Sequence, residues 1–511
     1  MPTSPAEPPA APYDVAVVGA GPAGLAAAAT AADAGLTVAL VDDGPRPGGQ
    51  YYRHPAPGLG ARRPQALHHG WPTFVGLLDR LRAHRDSGRL RHLTGRQVWA
   101  VQEAHDHPGR WTLRTLPTVS PQAPRHHEEP TTGEAPQDSV RAHRLLLATG
   151  TYERQLPFPG WTLPGVVGAG GAQAMVKSGL VLPGRRVVVA GSGPLLLAVA
   201  ASLAAAGARV PCVLEAGGYL PYAHRPGPLL RNPGKLAEGT RHAAALARRR
   251  VRLRTRTAVV AAHGTDRVTA VTVARLDEDW RPVPGTEQRL PCDALAVGHG
   301  LVPQLELALE LGCETRTAPD GTPVLTVDAA LRTSVEGVWA AGETTGVGGA
   351  HLALREGELA AREIAAAAHG APAAGHTTAG LRARVARLRV FADLMAQVHR
   401  PGPAWTGWLR DDTEICRCEE VDAATVRAAA DTYGASDTRT VKLLTRAGMG
   451  WCQGRMCGPA VSCLAAGAGS APVSADRRPL ARPVPLAQLA RLSEPARPPA
   501  FPRPTHEENR T

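Results

Sequence analysis

Residues 13–42 read YDVAVVGAGPAGLAAAATAADAGLTVALVD, and this stretch decides the fold. Asp14-Val-Ala-Val-Val18 is a short apolar strand. Gly19-Ala-Gly-Pro-Ala-Gly24 is a glycine turn, an alanine-rich segment follows as a helix, and Thr37-Val-Ala-Leu-Val41 is the next strand. Gly19 permits the tight turn, Gly21 lets a pyrophosphate approach the backbone, and Gly24 lets helix and strand pack closely. Pro22 and Ala23 open the helix, whose free N–H groups and positive dipole end suit an anion. Asp42, followed by Asp43, stands at the end of the second strand, where a carboxylate can accept from ribose hydroxyls. Strand, turn, helix, strand and terminal acid together predict a dinucleotide site.

A second unit of this kind starts at Arg185. Val187–Ala190 is its strand, Gly191-Ser-Gly-Pro-Leu-Leu196 its turn, and Glu215 ends its next strand. Gly191 and Gly193 match, but Leu196 stands where a third glycine or alanine belongs. Two readings stay open: a site for NAD(H) or another adenine nucleotide, or a fold that has lost hydride exchange. No arginine closely follows Glu215, which argues against a 2′-phosphate. Two such units predict an α/β protein with two Rossmann-like, doubly wound domains.

Four of the eight cysteines cluster near the C-terminus, as Cys416-Arg-Cys418 and, after thirty-three intervening residues, Cys452-Gln-Gly-Arg-Met-Cys457. Clustering in a chain without secretory features favours a metal or redox site over disulfides. Four thiolates suit zinc or an iron–sulfur cluster. Structural zinc usually takes Cys-x2-Cys, and neither pair has that spacing. Asp422 suits the N-cap of a helix between the pairs, and Gly448 suits the end of a second. Cys463 reads as a packed helix residue.

The net charge of +12 comes mostly from scattered arginines, with only Lys177, Lys235 and Lys442 as lysines. Arginine enriched together with Ala, Gly and Pro fits a GC-rich coding bias better than nucleic-acid binding. No apolar run reaches membrane-spanning length. The leader MPTSPAEPPAAPYD lacks the basic and apolar regions of a signal peptide, so a cytoplasmic protein is expected, with membrane association only through partners.

Three further segments separate FAD from NAD at the first turn. Arg46-Pro-Gly-Gly-Gln50 resembles the flavin-side loop of two-dinucleotide flavoproteins. Leu145-Leu-Leu-Ala-Thr149-Gly150 resembles the segment that closes their FAD domain. Val338-Trp-Ala-Ala-Gly342-Glu343 resembles their second FAD fingerprint, with Glu343 in place of the usual Asp that meets the ribityl chain. Over residues 13 to about 370 the chain resembles the glutathione-reductase-like pyridine nucleotide-disulfide oxidoreductases. It lacks their redox cysteine pair beside the flavin; Pro159-Gly-Trp-Thr-Leu-Pro-Gly165 contains no cysteine. Disulfide reduction is therefore not expected. His299, in a loop ending an apolar strand, reads either as a structural residue or as one near a cofactor.

The cysteine segment, down to Arg446-Ala-Gly-Met-Gly450, resembles the BFD-like [2Fe-2S] domain. This resemblance implies that Cys416, Cys418, Cys452 and Cys457 ligate a [2Fe-2S] cluster in a small helical C-terminal domain. The whole order resembles the alpha subunits of opine oxidase, hydrogen cyanide synthase and hydroxyproline or proline dehydrogenase complexes. That implies, for a partner, a D-amino-acid-oxidase-like flavoprotein beta subunit. It further implies an amino acid or amine substrate, and a ferredoxin, quinone or respiratory chain as acceptor. The alternatives are a self-sufficient NADH-dependent reductase feeding its own cluster or a ferredoxin, and an iron–sulfur sensor on a vestigial flavin fold.

The expected division is a leader at 1–12, an FAD domain at 13–180 and 291–372, and a second nucleotide domain at 181–290. A linker helix occupies 373–410, with an apolar stripe of Leu381, Val385, Leu388, Phe391 and Met395. The cluster domain spans 411–468, and an extended or disordered tail 469–511. The polar, proline-rich stretch 115–140 is expected to be a surface loop. Deleting 411–511 is expected to remove iron and leave FAD bound.

Overall fold

The computed structural model describes residues 11–68, 70–104, 111–118, 139–370, 376–466 and 480–490. The expected leader lies almost wholly outside them, as does most of the expected loop, at 119–138.

The first sheet is built around Tyr13–Val18. Val38–Val41 and then Leu90–Leu93 lie parallel on one side of it, and Ser139–Leu147 lies parallel on the other. On its other side the first half of Ser139–Leu147 pairs antiparallel with Trp111–Pro117, which pairs in turn with Arg96–Glu103, and its second half pairs in parallel with Val338–Ala340. The helix Pro22–Asp33 crosses this sheet, and its alanines are nearly all buried. Small side chains let the helix Ala350–Ala368 press against it: a Cβ on Gly357 would collide with the carbonyl oxygen of Ala23. Close backbone approach of this kind requires glycine.

Two crossings at one hinge, Thr151–Glu153 and Leu301–Pro303, pair antiparallel and lead to and from the second fold. Its parallel sheet has the order Arg252–Thr255, Cys212–Glu215, Val187–Gly191, Ala294–Gly298, Val166–Gly168. The two central strands are buried throughout, as the apolar runs of a sheet covered on both faces require. A meander, Thr257–His263, Ala270–Arg275 and Gln288–Pro291, packs beside it.

The expected linker helix spans His376–Val398. Leu381, Val385 and Leu388 join the core formed by Pro22–Asp33 and Ala350–Ala368. Phe391 is buried too, and Met395 is half-buried. A short ladder, Glu414–Cys416 with Val421–Asp422, opens the C-terminal unit. The helices Ala423–Asp431, Thr438–Thr445 and Gly458–Ala466 follow. Asp422 does cap the first helix, accepting from Thr425 N at 2.8 Å. The second helix stops before Gly448, at Arg446, which takes the left-handed conformation itself (φ 67°).

The described part of the expected tail is packed rather than loose. Leu480, Val484 and Leu489 cover Trp99, Ala100 and Leu116, and Ala481 N donates to Trp99 O at 3.0 Å. Among the described residues no helix is long and apolar enough to cross a membrane.

Candidate redox sites

The first glycine turn is closed on three sides and open on one. Gly19 has φ 104°, and a side chain there would strike the carbonyl of Ala148. A Cβ on Gly24 would overlap Gly19 O, and one on Gly49 would lie 2.7 Å from the Cα of Gly21. At Gly21 nothing lies within 4 Å of an added Cβ. That open face, at the N-terminus of Pro22–Asp33, fits a pyrophosphate. The loop 43–49 folds over the turn, with Gly48 N donating to Ala20 O at 2.8 Å. In this loop Arg46 holds a buried Nη1 without a hydrogen-bond partner, a cationic donor suited to the same anion.

Asp42 is 7% exposed and accepts from Ala20 N at 2.9 Å. Burial pushes its pKa up to about 6, against the pull of that amide. Donation from ribose hydroxyls to the ionised form would lower it again, so below about pH 6 FAD binding releases a proton from Asp42. FAD affinity is thus expected to be flat above about pH 7 and to fall below about pH 6, by at most roughly tenfold per unit. Equilibrium binding of FAD to the stripped protein across this range checks it, and an equal affinity at about pH 5 and about pH 7.5 would refute it. Asp43, by contrast, is exposed; its carboxylate lies 3.7 Å from Arg482.

The segments expected at the flavin end come together around this turn. Gly342 (φ 83°) backs onto Ala23. Gln50 is exposed and pairs with Arg53. Thr149 Oγ1 donates to Gln304 O at 2.7 Å, and Gly150 O accepts from Gln304 N at 2.9 Å, so both close the hinge. Glu343 folds back, each carboxylate oxygen accepting from a backbone amide, Gly348 N and Gly349 N, both at 2.9 Å. Burial raises its pKa, and those amides oppose the rise.

Three groups that carry no motif in the sequence also shape this region. Glu356 is fully buried and accepts from Gly342 N (2.8 Å), Thr345 Oγ1 (2.9 Å) and Arg389 of the linker helix. Glu363, one turn pair further on, is bound by Arg382. Lys177, from the second fold, donates to Tyr51 O at 3.1 Å and lies 5.5 Å over the Tyr51 ring. Burial lowers its pKa to about 8.

In the second fold Gly191 (φ 136°) packs on Gly298, and Glu215 accepts from Gly193 N and Gly217 N, both at 3.0 Å. Leu196 is buried between helix and sheet. His299 is 3% exposed among Trp280 and Trp408. It is a core residue, and burial lowers its pKa to about 4, keeping it neutral.

At the C-terminus the four cysteines converge as two neighbouring pairs, Cys416 with Cys457 and Cys418 with Cys452. Among the described residues no three ligating side chains gather for a single metal ion. Two thiol pairs suit a cluster whose two irons each take two thiolates. Backbone amides of Gly448, Glu419 and Cys418 point at the Cys416 sulfur, as the charge of such a cluster requires. Cys416 and Cys457 are each 1% exposed, whereas Cys418 is open to solvent. Cys463 lies on the helix Gly458–Ala466, apart from these pairs, and is exposed rather than packed.

The cluster unit does not hang free. Trp405, Trp408, Ile415 and Cys416 share one core with Leu156, Ala216, Ala258 and Trp280 of the preceding folds. Trp161 Nε1 donates to Glu414 O at 2.6 Å. Arg455, between Cys452 and Cys457 in the chain, reaches Glu306 at 2.6 Å and Ala481 O at 2.9 Å. A cleft of about 1160 Å³ runs between the units, with Gly448 and Cys457 on one wall and Val302 and Leu305 on the other.

Residues 13–357 match the family described as pyridine nucleotide-disulphide oxidoreductase, and residues 414–466 match the BFD-like [2Fe-2S] binding domain. Hydrogen cyanide synthase subunit HcnB of Pseudomonas aeruginosa is 35% identical over 453 residues, which is 86% of this chain and 90% of the relative. An opine oxidase subunit of Rhizobium meliloti is 33% identical over 495 residues, 94% of this chain and 99% of the relative. The L-proline dehydrogenase structure from P. horikoshii shares the fold at a TM-score of 0.58 and 18% identity, covering 94% of this chain and 80% of that one. The chain is thus an FAD-dependent oxidoreductase with a [2Fe-2S] centre, and it belongs to the pyridine nucleotide-disulphide oxidoreductase family, in the group with HcnB and the opine oxidase subunit.

Proposed function

We propose that this chain is the electron-transferring alpha subunit of a heteromeric dehydrogenase acting on an amino acid, opine or related amine. One observation carries the reading: the cluster unit is locked against the nucleotide folds through a shared core and the Arg455–Glu306 contact. Two redox centres so held keep one separation and one orientation. Bound FAD exchanges electrons in pairs or singly, and the [2Fe-2S] centre carries them singly.

In this reading Gly19, Gly21, Pro22, Ala23 and Gly24 hold the FAD pyrophosphate and Asp42 the adenosine ribose, with Asp43 beside it. Gly49, Gln50, Thr149, Gly150 and Gly342 frame the flavin half. Glu343 turns its carboxylate from Gly348 and Gly349 to the ribityl chain, or orders that glycine pair beneath the flavin. Cys416, Cys418, Cys452 and Cys457 ligate the cluster. HcnB and its opine oxidase counterpart are each one subunit of a larger enzyme, which supports a partner here. We take it to be a D-amino-acid-oxidase-like flavoprotein that oxidises the C–N bond, with a ferredoxin, quinone or respiratory chain as acceptor, in the cytoplasm.

Anaerobic absorbance titration tests this. The flavin band of the purified chain is expected to be unchanged by an amino acid alone. It is expected to bleach when the amino acid and the partner subunit are both present. Bleaching by substrate without a partner would overturn the alpha-subunit reading.

A further inference from the structure

The second nucleotide fold keeps its glycine turn and its acid, but the chain itself lies where a ligand would. In an open parallel sheet the ligand crevice opens at the carboxyl ends of the strands, at the switch point. Here that point lies between Val187–Gly191 and Ala294–Gly298. Residues 398–408, leading from the linker helix to the cluster unit, cross it. Ser192 of the turn donates its hydroxyl to His399 O at 3.1 Å. The His399 ring places Nδ1 3.5 Å from Glu215 Oε1, and the rings of Tyr219 and Tyr222 each lie 5.8 Å from it. At the other strand end Trp408 stacks on Trp280 at 5.9 Å and donates Nε1 to its carbonyl at 2.9 Å, with His299 beneath both rings. Gly402 is pressed so closely on Trp280 that a side chain there would enter the indole.

The two acids at matching positions differ accordingly. Asp42 draws on the backbone amides of Ala20 and Gly44, and burial leaves it above the usual carboxylate range. Glu215 is 1% exposed. Burial alone would raise its pKa, but His399 and the amides of Gly193 and Gly217 outweigh it and hold it low. Burial and the Glu215 charge in turn push up the Tyr219 phenol. The helix starts differ as well. After the first turn Leu25 N bonds to Gly21 O in the α pattern. After the second, Leu196 N and Leu197 N bond to Gly193 O and Pro194 O, in tighter i+3 turns. Two of the first amides of this helix, Leu196 N and Leu197 N, thus have partners within the chain.

We propose that residues 398–408 are the resident occupant of the second crevice, with His399 as the group that meets Glu215, so that this fold is closed to nicotinamide dinucleotides. The fold then serves as a socket that seats the cluster unit, and reducing equivalents do not enter from NADH or NADPH. This stands whether or not the electron-transfer reading above holds, because it concerns occupancy of one crevice and not the identity of the substrate.

Hydrogen exchange on the full chain, with flavin and cluster in place, locates any binding at this crevice. With NADH or NADPH at about 1 mM, the upper end of usual Michaelis constants, peptides spanning 191–197 and 215–222 are expected to exchange as without nucleotide. The flavin band is expected to stay unbleached under anaerobic conditions. Added protection of these peptides, or rapid bleaching, overturns the proposal. A His399→Gly, Tyr219→Ala double variant that retains flavin and cluster absorbance is expected to gain protection at 191–197 with NADH. Lack of that gain would assign closure to the Leu196 turn and overturn the role given to His399.

Discussion

Gly21→Ala is expected to leave the fold unchanged and yet lose FAD, whereas Gly24→Ala is expected to lose both FAD and stability. The two positions belong to one turn and differ only in what an added methyl meets. At Gly21 the backbone has φ −74° and ψ −175°, which alanine adopts without strain, and nothing lies within 4 Å of the new Cβ. The flavin-free variant should therefore unfold at the temperature of the flavin-free wild type. The methyl does enter the open face at the helix N-terminus, and a pyrophosphate held there must move away from the amides. A loss of about 1.4 kcal/mol already means a tenfold weaker complex, and at least that is expected. At Gly24 the methyl overlaps the carbonyl oxygen of Gly19 and presses on Val17. Backbone cannot yield as a flexible side chain does, so strand and helix separate at a cost of about 1–3 kcal/mol or more. Flavin-to-protein ratio after purification, read beside thermal unfolding of the stripped proteins, separates the two effects. A Gly21→Ala protein with a full flavin complement would remove the pyrophosphate from this turn.

What was legible in the chain follows from how local each constraint is. Gly19, Gly21, Gly24 and Asp42 could be read because a strand–turn–helix crossing imposes glycine at fixed spacing, whatever surrounds it. The cysteine pairs were legible for the same reason. Glu356 and Glu363 carry a weaker signal: both stand on the buried face of their helix, among Leu352, Leu359, Ala360 and Ile364. Their partners, Arg389 and Arg382, lie seven residues apart in the opposite order, as antiparallel helices demand. An acid on an apolar stripe implies a partner, but not which helix supplies it. His399 left no mark in the sequence, because its role depends on the linker passing over a turn 207 residues earlier. Composition was misleading at 480–490. Its two prolines and Arg482 read as loose tail, whereas Leu480, Val484 and Leu489 cover Trp99, Ala100 and Leu116.

That packing also decides how the cluster should be removed. Deleting residues 411–511 would uncover Leu156, Trp280 and the surface around Trp99, so loss of FAD from the truncated chain would say nothing about the cluster itself. Single substitutions avoid this and are expected to differ by burial. Cys418→Ala removes a solvent-facing thiol. It is expected to abolish the [2Fe-2S] absorbance and the rhombic signal after dithionite reduction while the flavin content stays full. Cys416→Ala and Cys457→Ala are expected to lose the cluster equally and to cost stability as well, because both sulfurs lie in the core that joins the cluster unit to the second fold. For a buried group of this size the added cost is about 1–2 kcal/mol. Iron analysis, the reduced-state spectrum and thermal unfolding of the three variants give the comparison. If Cys418→Ala kept its iron, ligation by the four cysteines would be wrong. If it lost flavin together with iron, the cluster would be holding the nucleotide folds in shape, and the fixed spacing on which electron transfer rests would depend on the metal and not on the shared core.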